Sequence, residues 1–206
     1  MATTIQEYVA ERGIAHLVHF TRARNLDSIL RRGLLPRDTL TLENFDGFND
    51  QLRLDNTHAV CMSITFPNYK MFWGCRNDHP DETWVVMGIS PKVLWETECA
   101  FCSANAASGG VTAIPLAQRM GLGVMQAMFG DWPGKPRAEL GVPDSYATNP
   151  QAEVLALRGV APNYFLGVGV QNEAIKQQLV AKYPGLDVRV TATFFSARRD
   201  YSHWKA

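Results

Sequence analysis

Three short stretches of this 206-residue chain put polar side chains where an apolar core would not hold them. "LVHFTRARNLDSILRRGL", residues 17–34, is apolar around His19 and Thr21 before it turns cationic. Residues two apart on a strand point to one face, so the imidazole and the hydroxyl are placed to address a single ligand. The plain alternative is a histidine bonded to backbone. "SITFPNYKMFW", residues 63–73, carries Ser63 inside an apolar run, then Asn68, Tyr69 and Lys70 just past Pro67, which ends it. A strand end offering a cation and an amide is a common meeting place for ligands, and a solvated lysine is the alternative there. In "NPQAEVLAL", Glu153 stands ahead of an apolar run and behind a long flexible loop, placed to project from a sheet into a cleft. A solvated charge at a strand start is again the alternative.

The elements that must position these groups follow from periodicity. Thr4 and Glu7 form a capping box that opens a short helix ending before Gly13. "AHLVHF" reads as a buried strand, and Asn25 caps a helix whose Leu26, Ile29 and Leu30 repeat at helical spacing until Gly33 stops it. Residues 36–57 lack periodicity but carry Phe45, Phe48 and Leu52, the pattern of a loop that folds over something. "HAVCMSITF" is a strand ended by Pro67, and "TWVVMGI" is a continuously apolar strand suited to a sheet interior. The polar "SANAASGG" precedes a helix expected over 116–128, and the Pro/Gly-rich stretch 130–150 forms a second flap. "AEVLAL" is a strand, "NEAIKQQLVAKY" a helix and "VRVTATFF" a half-buried strand. The class is α+β, with a central sheet core, flanking helices, strands outnumbering helices and two long loops.

Composition bounds the rest. Twenty basic and twenty acidic side chains leave zero net charge, so no overall field draws the chain to nucleic acid or membrane, and any such contact is local. With 46% hydrophobic content and no compositional break, residues 1–206 read as one domain, or one domain with a long insertion. The chain has no run of membrane-spanning length, and its start lacks a signal-peptide core, so a soluble cytoplasmic protein is expected. Cys99 and Cys102 form a CxxC, but Cys75 and His79 offer no second pair at zinc-site spacing. The cysteines read as small buried thiols, and no metal is expected.

The order of these pieces resembles the DarT family of nucleic-acid ADP-ribosyltransferases. The resemblance runs from about residue 16 to residue 195, through His19, Phe20 and Thr21, then Asn25, Leu26, Ile29, Leu30, Gly33 and Leu34, then Pro67, then Gln151, Ala152 and Glu153. It implies an ADP-ribosyltransferase-like fold and an NAD-consuming toxin that transfers ADP-ribose to a base in single-stranded DNA, releasing nicotinamide. A macrodomain antitoxin would oppose it. By that match His19 and Thr21 hold NAD with Asn25 in support, and Phe20, Gly33, Ser63, Asn68 and Tyr69 complete the dinucleotide-facing set. Glu153 is the catalytic glutamate, residues 36–57 cover the dinucleotide, and the loop before Glu153 recognises the acceptor. Asn105, in "SANAAS", falls near the nucleic-acid surface. In members that modify thymine an arginine follows the proline of the middle strand, whereas here Asn68 follows Pro67. Lys70 is the nearest substitute and Arg76 the next, and the difference turns the reading from thymine toward guanine.

The chemistry asks for these side chains. Cleaving nicotinamide from ribose leaves an oxocarbenium-like centre, which a carboxylate such as Glu153 stabilises; the same group can take a proton from the attacking base. Lys70, the second catalytic candidate, would offset the diphosphate charge or help polarise the base. A base in a duplex hides its nucleophilic nitrogen, so the acceptor is single-stranded or flipped, with Trp132 and Tyr146 as stacking candidates, or as rings that pack the loop to the body. The cations Arg22, Arg24, Arg31, Arg32 and Arg37 meet phosphates or form a solvated face. Rival readings are transfer to RNA, protein or water, and a non-enzymatic binding module.

Overall fold

Thr4 caps the first helix as its spacing predicts. Its hydroxyl accepts the Glu7 N–H at 3.1 Å, and the Glu7 carboxylate accepts the Thr4 N–H at 3.3 Å. The fold comes from a computed structural model that describes residues 2–40 and 58–205. In chain order, α1 (Ile5–Glu11), β1 (Leu17–Arg22) and α2 (Leu26–Arg32) precede β2 (Val60–Ile64), α3 (Tyr69–Asp78), β3 (Trp84–Ile89) and α4 (Val93–Glu96). Then come β4 (Cys99–Cys102), α5 (Gly109–Thr112), α6 (Leu122–Ala127), α7 (Arg137–Leu140), β5 (Glu153–Ala156), β6 (Phe165–Val170), α8 (Glu173–Lys182) and β7 (Val188–Val190). Among the described residues the eight α-helices exceed the seven strands, against the expected balance, because many of the helices are only one or two turns long.

The strands form one sheet in the order β4-β5-β2-β1-β3-β6-β7, antiparallel except for the β6–β7 pair. β1 pairs with β3 along its whole length, from Leu17↔Ile89 to Arg22↔Trp84. With β2 it pairs only at Leu17↔Ile64 and Val18↔Ser63, so the two strands part from His19 onward. That parting divides the sheet where the first two polar stretches meet.

Strand alternation sorts the side chains onto two faces. Leu17, Met62, Val85, Met87, Val154 and Val168 bury one face under the helices in the main core. The opposite face is covered in two separate apolar patches. Val18, Trp84, Val86, Phe72 and Phe195 form one over β1 and β3; Ala100, Cys102, Leu155, Ala106 and Val111 form the other over β4 and β5. β2 lies between the patches, and its Ser63 faces the interval.

Several expected elements change at their ends or inside. The strand read over 58–66 is trimmed to Val60–Ile64, and the one read over 188–195 to Val188–Val190 followed by a 3-10 turn, Ala192–Phe195. The helix expected over 116–128 breaks at Gly121, which takes φ +92°, leaving a 3-10 turn and α6. Strands β4 and β6 and helix α3 had no clear signal: β6 contains Gly167 and Gly169, residues depleted in strands, and α3 follows a strand-ending proline. Asn25 stands at the N-cap of α2 without a side-chain cap bond; its amide donates to Thr21 Oγ1 at 3.1 Å. Gly33 ends α2 at φ +91°, where a Cβ would meet the Val160 carbonyl oxygen at 2.3 Å, so packing alone requires glycine there. Cys99 and Cys102 fall on opposite faces of β4, three residues apart, and so cannot converge on one ion. Burial pushes the Cys99 thiol up to about 11, in keeping with an inert core thiol.

Candidate active site

Glu153 is the first residue of β5 and is only 6% exposed. Its Oε2 accepts the Ala106 N–H at 2.7 Å, and across the ladder it pairs with Cys102. Continuing the β2–β5 register beyond Met62↔Val154 sets it level with Ser63. Carboxylate and hydroxyl thus share the interval between the two apolar patches. A buried carboxylate requires donors, and the "SANAAS" segment supplies one from its backbone. Asn105, expected at a nucleic-acid surface, caps this turn: its Oδ1 accepts the Ala107 N–H at 2.9 Å.

Asn68 closes the same region. Its N–H donates to Ser63 Oγ at 3.2 Å, and its Oδ1 caps α3 through the Met71 N–H at 3.3 Å. Its Nδ2 is buried without a partner among the described residues, an amide donor held in reserve beside Ser63.

His19 and Thr21 share a face, as their spacing predicts, but it is the face opposite Glu153. Between them, β1 and β2 are paired only as far as Val18↔Ser63. His19 Nδ1 reaches across to the Cys61 carbonyl at 2.8 Å. Because a carbonyl only accepts, Nδ1 carries the proton, and the neutral ring leaves Nε2 as an acceptor. Burial lowers the His19 pKa, offset in part by the Cys61 bond, and His16 is lowered in the same way with Thr65 as its partner. Both folded values fall below the ordinary 6.5, so the unfolded chain binds protons first as pH drops. The stability these rings contribute is complete above about pH 6.5 and declines below it. Urea unfolding should show a lower midpoint at pH 5.5 than at pH 7.5, with a smaller difference in His19→Gln. An equal difference in that variant would remove His19 as a cause.

The other expected residues take different positions. Phe20 stacks on Phe72 with ring centres 4.6 Å apart, on the Glu153 side of the sheet. Lys70 Nζ donates to the Trp204 carbonyl, and Arg76 donates to the Phe195 carbonyl at 2.8 Å while lying over the Phe72 ring. Both cations expected to replace the family arginine are therefore held by the C-terminal segment. Tyr69 lies by that segment too: burial first, then the Asp200 charge, pushes its phenol above the usual range. Trp132 packs on Trp204 at 6.1 Å and Tyr146 on Phe66 at 5.6 Å, so each expected stacking ring packs against its own chain. Arg22 and Arg24 converge on Glu82 instead of presenting a cationic row. An open groove of about 330 Å³ between Arg24, Glu82 and Lys182 contains, of the residues singled out above, only the cation Arg24 and none of the expected catalytic or dinucleotide-facing ones. The expected dinucleotide cover, with Phe45, Phe48 and Leu52, lies mostly outside the described residues.

Three arginines have no clear mark in the sequence. Arg119 is buried with Nη1 3.9 Å from Cys102 Sγ, bringing a guanidinium to the cross-strand neighbour of Glu153. Arg198 donates to the Ala147 and Thr148 carbonyls at 2.8 and 2.7 Å, and Arg137 donates to Thr148 Oγ1 and the Pro143 carbonyl. The loop leading to Glu153, expected to be flexible, is clamped. No periodicity marks such residues; the only sign in sequence is an arginine among apolar neighbours, as in "PLAQRMGL".

Solved DarT structures share this fold. Thermus sp. 2.9 DarT in complex with ADP-ribosylated ssDNA is 12% identical, with a TM-score of 0.58 over 89% of this chain and 97% of that one. The same protein with NAD+ is 13% identical, with a TM-score of 0.56 over 89% and 98%. Thermosipho africanus DarTG in complex with ADP-ribose is 15% identical, with a TM-score of 0.55 over 88% of this chain, which spans about half (51%) of that one. No curated protein matches the sequence. Residues 18–195 match the family described as ssDNA thymidine ADP-ribosyltransferase, DarT, and the chain belongs to that family. It is an NAD-dependent ADP-ribosyltransferase.

Proposed function

We propose that this protein transfers ADP-ribose from NAD to a base of single-stranded DNA, guanine ahead of thymine. We read it as a cytoplasmic toxin that a macrodomain antitoxin opposes. The observation that carries the reaction is Glu153, buried beside Ser63 where the apolar cover of the sheet divides, its carboxylate fixed by the Ala106 N–H. The bond from ribose C1′ to the nicotinamide nitrogen breaks, and nicotinamide leaves with the electron pair. Glu153 stabilises the positive charge that develops at C1′. A base nitrogen then bonds to C1′, and its proton passes to the carboxylate. Because the site is buried, these charges interact more strongly than in water.

NAD lies in this reading along the parting of β1 and β2, with the His19 Nε2 acceptor and the Thr21–Asn25 pair at one side, and Phe20, Ser63, Asn68 and Tyr69 at the other. Lys70 offsets the diphosphate charge or polarises the base, and Arg76 serves the nucleic-acid side, both from α3. The guanine preference rests on Asn68, whose buried amide donor stands where thymine-modifying members carry an arginine. The relatives support the substrates: one solved DarT holds NAD+, and one holds ADP-ribosylated ssDNA. The match to a DarTG chain supports the antitoxin. Among the described residues no helix is long and apolar enough to cross a membrane, which fits the location proposed.

Mass spectrometry of short single-stranded oligonucleotides after incubation with NAD tests the reading. The expected product is one added ADP-ribose on guanine-containing strands. Addition to thymine alone would reverse the base preference. Addition to RNA or protein alone, or free ADP-ribose as the sole product, would overturn the DNA acceptor.

A further inference from the structure

The family match ends at residue 195, and residues 196–205, "SARRDYSHWK", fold back onto α3. Lys70 and Arg76, six residues apart on α3, bond to the backbone carbonyls of Trp204 within that segment and of Phe195 just before it. Trp73 stands midway between them on α3, three residues from each, and so on the same side of the helix. It is 63% exposed. From the C-terminal turn projects Tyr201, 46% exposed, with the Lys205 ammonium 5.0 Å from its ring centre. Buried Trp204 joins this surface to the loop ahead of Glu153, with Trp132 against its ring and Lys135 Nζ 5.5 Å from its centre.

Exposed aromatic rings and cations thus sit on α3 and on the C-terminal turn bonded to it through Lys70, and Trp204 links that turn to the loop before Glu153. Arg199 adds an exposed cation. Asp200, the acid within the turn, is buried against Arg198 and the Trp204 indole N–H, so it does not neutralise this surface. Asp78 ends α3, and Asp131 accepts the Arg137 N–H. Exposed rings with cations among them offer both the stacking faces and the charges that a single strand uses, and on a chain of zero net charge such cations act locally.

We propose that this surface is the track for the single strand flanking the modified base, with bases stacking on Trp73 and Tyr201 and phosphates meeting Lys70, Arg199 and Lys205. The inference rests on the reading of single-stranded DNA as acceptor. Every base offers a π-face, so stacking tolerates sequence, while the cations bind the backbone.

Fluorescence anisotropy of the full chain with a labelled, mixed-sequence DNA single strand of about 12 nucleotides, without NAD, tests it. Trp73→Ala and Tyr201→Ala should each weaken binding about tenfold. Arg199→Gln with Lys205→Gln should reduce the slope of log affinity against log salt by about 1.4, since each phosphate left without its cation removes about 0.7. NAD consumption without DNA, and the thermal midpoint, should stay at wild-type values in all of them. Variants that bind like wild type, from a protein that still modifies DNA, would overturn the track and leave the transferase reading standing. Tighter binding to RNA of the same sequence would overturn DNA as the occupant. A wild type that neither binds nor modifies any single strand would overturn both.

Discussion

Glu153→Gln should lower nicotinamide release and ADP-ribose transfer by about a thousandfold while leaving the fold intact. The size follows from what the carboxylate supplies: removing one group that stabilises transition-state charge costs about 10²- to 10³-fold, and losing a positioned base costs a similar factor. Glutamine is the informative replacement because Glu153 is buried. Its amide oxygen can still accept the Ala106 N–H, so the variant removes charge and basicity without orphaning a backbone donor. An exposed strand-start residue would tolerate alanine at little cost in stability. Here alanine would leave that N–H unpaired, at about 1–3 kcal/mol, and confuse loss of chemistry with loss of folded protein. Nicotinamide release measured beside the urea midpoint separates the two. A Glu153→Gln protein retaining a tenth of wild-type activity would take this residue out of the catalytic role.

What sequence disclosed of this site, and what it withheld, follows from how each group is held. His19, Thr21, Ser63 and Glu153 stood out because polar groups inside apolar runs break a pattern, and patterns with periods of two or 3.6 are visible in one dimension. The face each one occupies was not visible in that way. Alternation settles that His19 and Thr21 agree with each other, but only the β2–β5 and β1–β2 registers put Glu153 level with Ser63 and opposite His19. Lys70 and Arg76 illustrate the same limit: proximity to Pro67 in the chain suggested a place beside the substrate, while the C-terminal segment, far away in sequence, takes up both. Trp132 and Tyr146 were legible as aromatic loop residues, but their partners Trp204 and Phe66 lie far off in sequence. The loop they occupy looked unrestrained because its restraints, Arg137 and Arg198, carry no periodic signal and act on backbone far from or across the turn.

That restraint sets the second large expectation. Asp200→Ala should destabilise the protein by about 3–5 kcal/mol, because it leaves the Arg198 guanidinium buried without its counter-charge. The two side chains are 4% and 0% exposed, and Arg198 grips Asp200 with two bonds of 2.6 Å while its remaining donors hold the carbonyls of Ala147 and Thr148. The same Asp200 carboxylate anchors the Trp204 indole at 2.7 Å, so one substitution frees both the loop before Glu153 and the turn beneath Tyr201. The pair Arg158–Glu98 is an internal control. It is equally short at 2.6 Å but 82% and 55% exposed, and Glu98→Ala should cost no more than about 1 kcal/mol. Replacing both buried partners, Arg198→Met with Asp200→Leu, should recover part of the Asp200→Ala loss, since no buried charge remains. It cannot recover all of it, because the Ala147 and Thr148 carbonyls lose their donors. Urea midpoints of the three variants give the ordering. Should Asp200→Ala cost no more than Glu98→Ala, burial would not be what makes the clamp strong, and the Arg198–Asp200 pair would not be what positions Glu153.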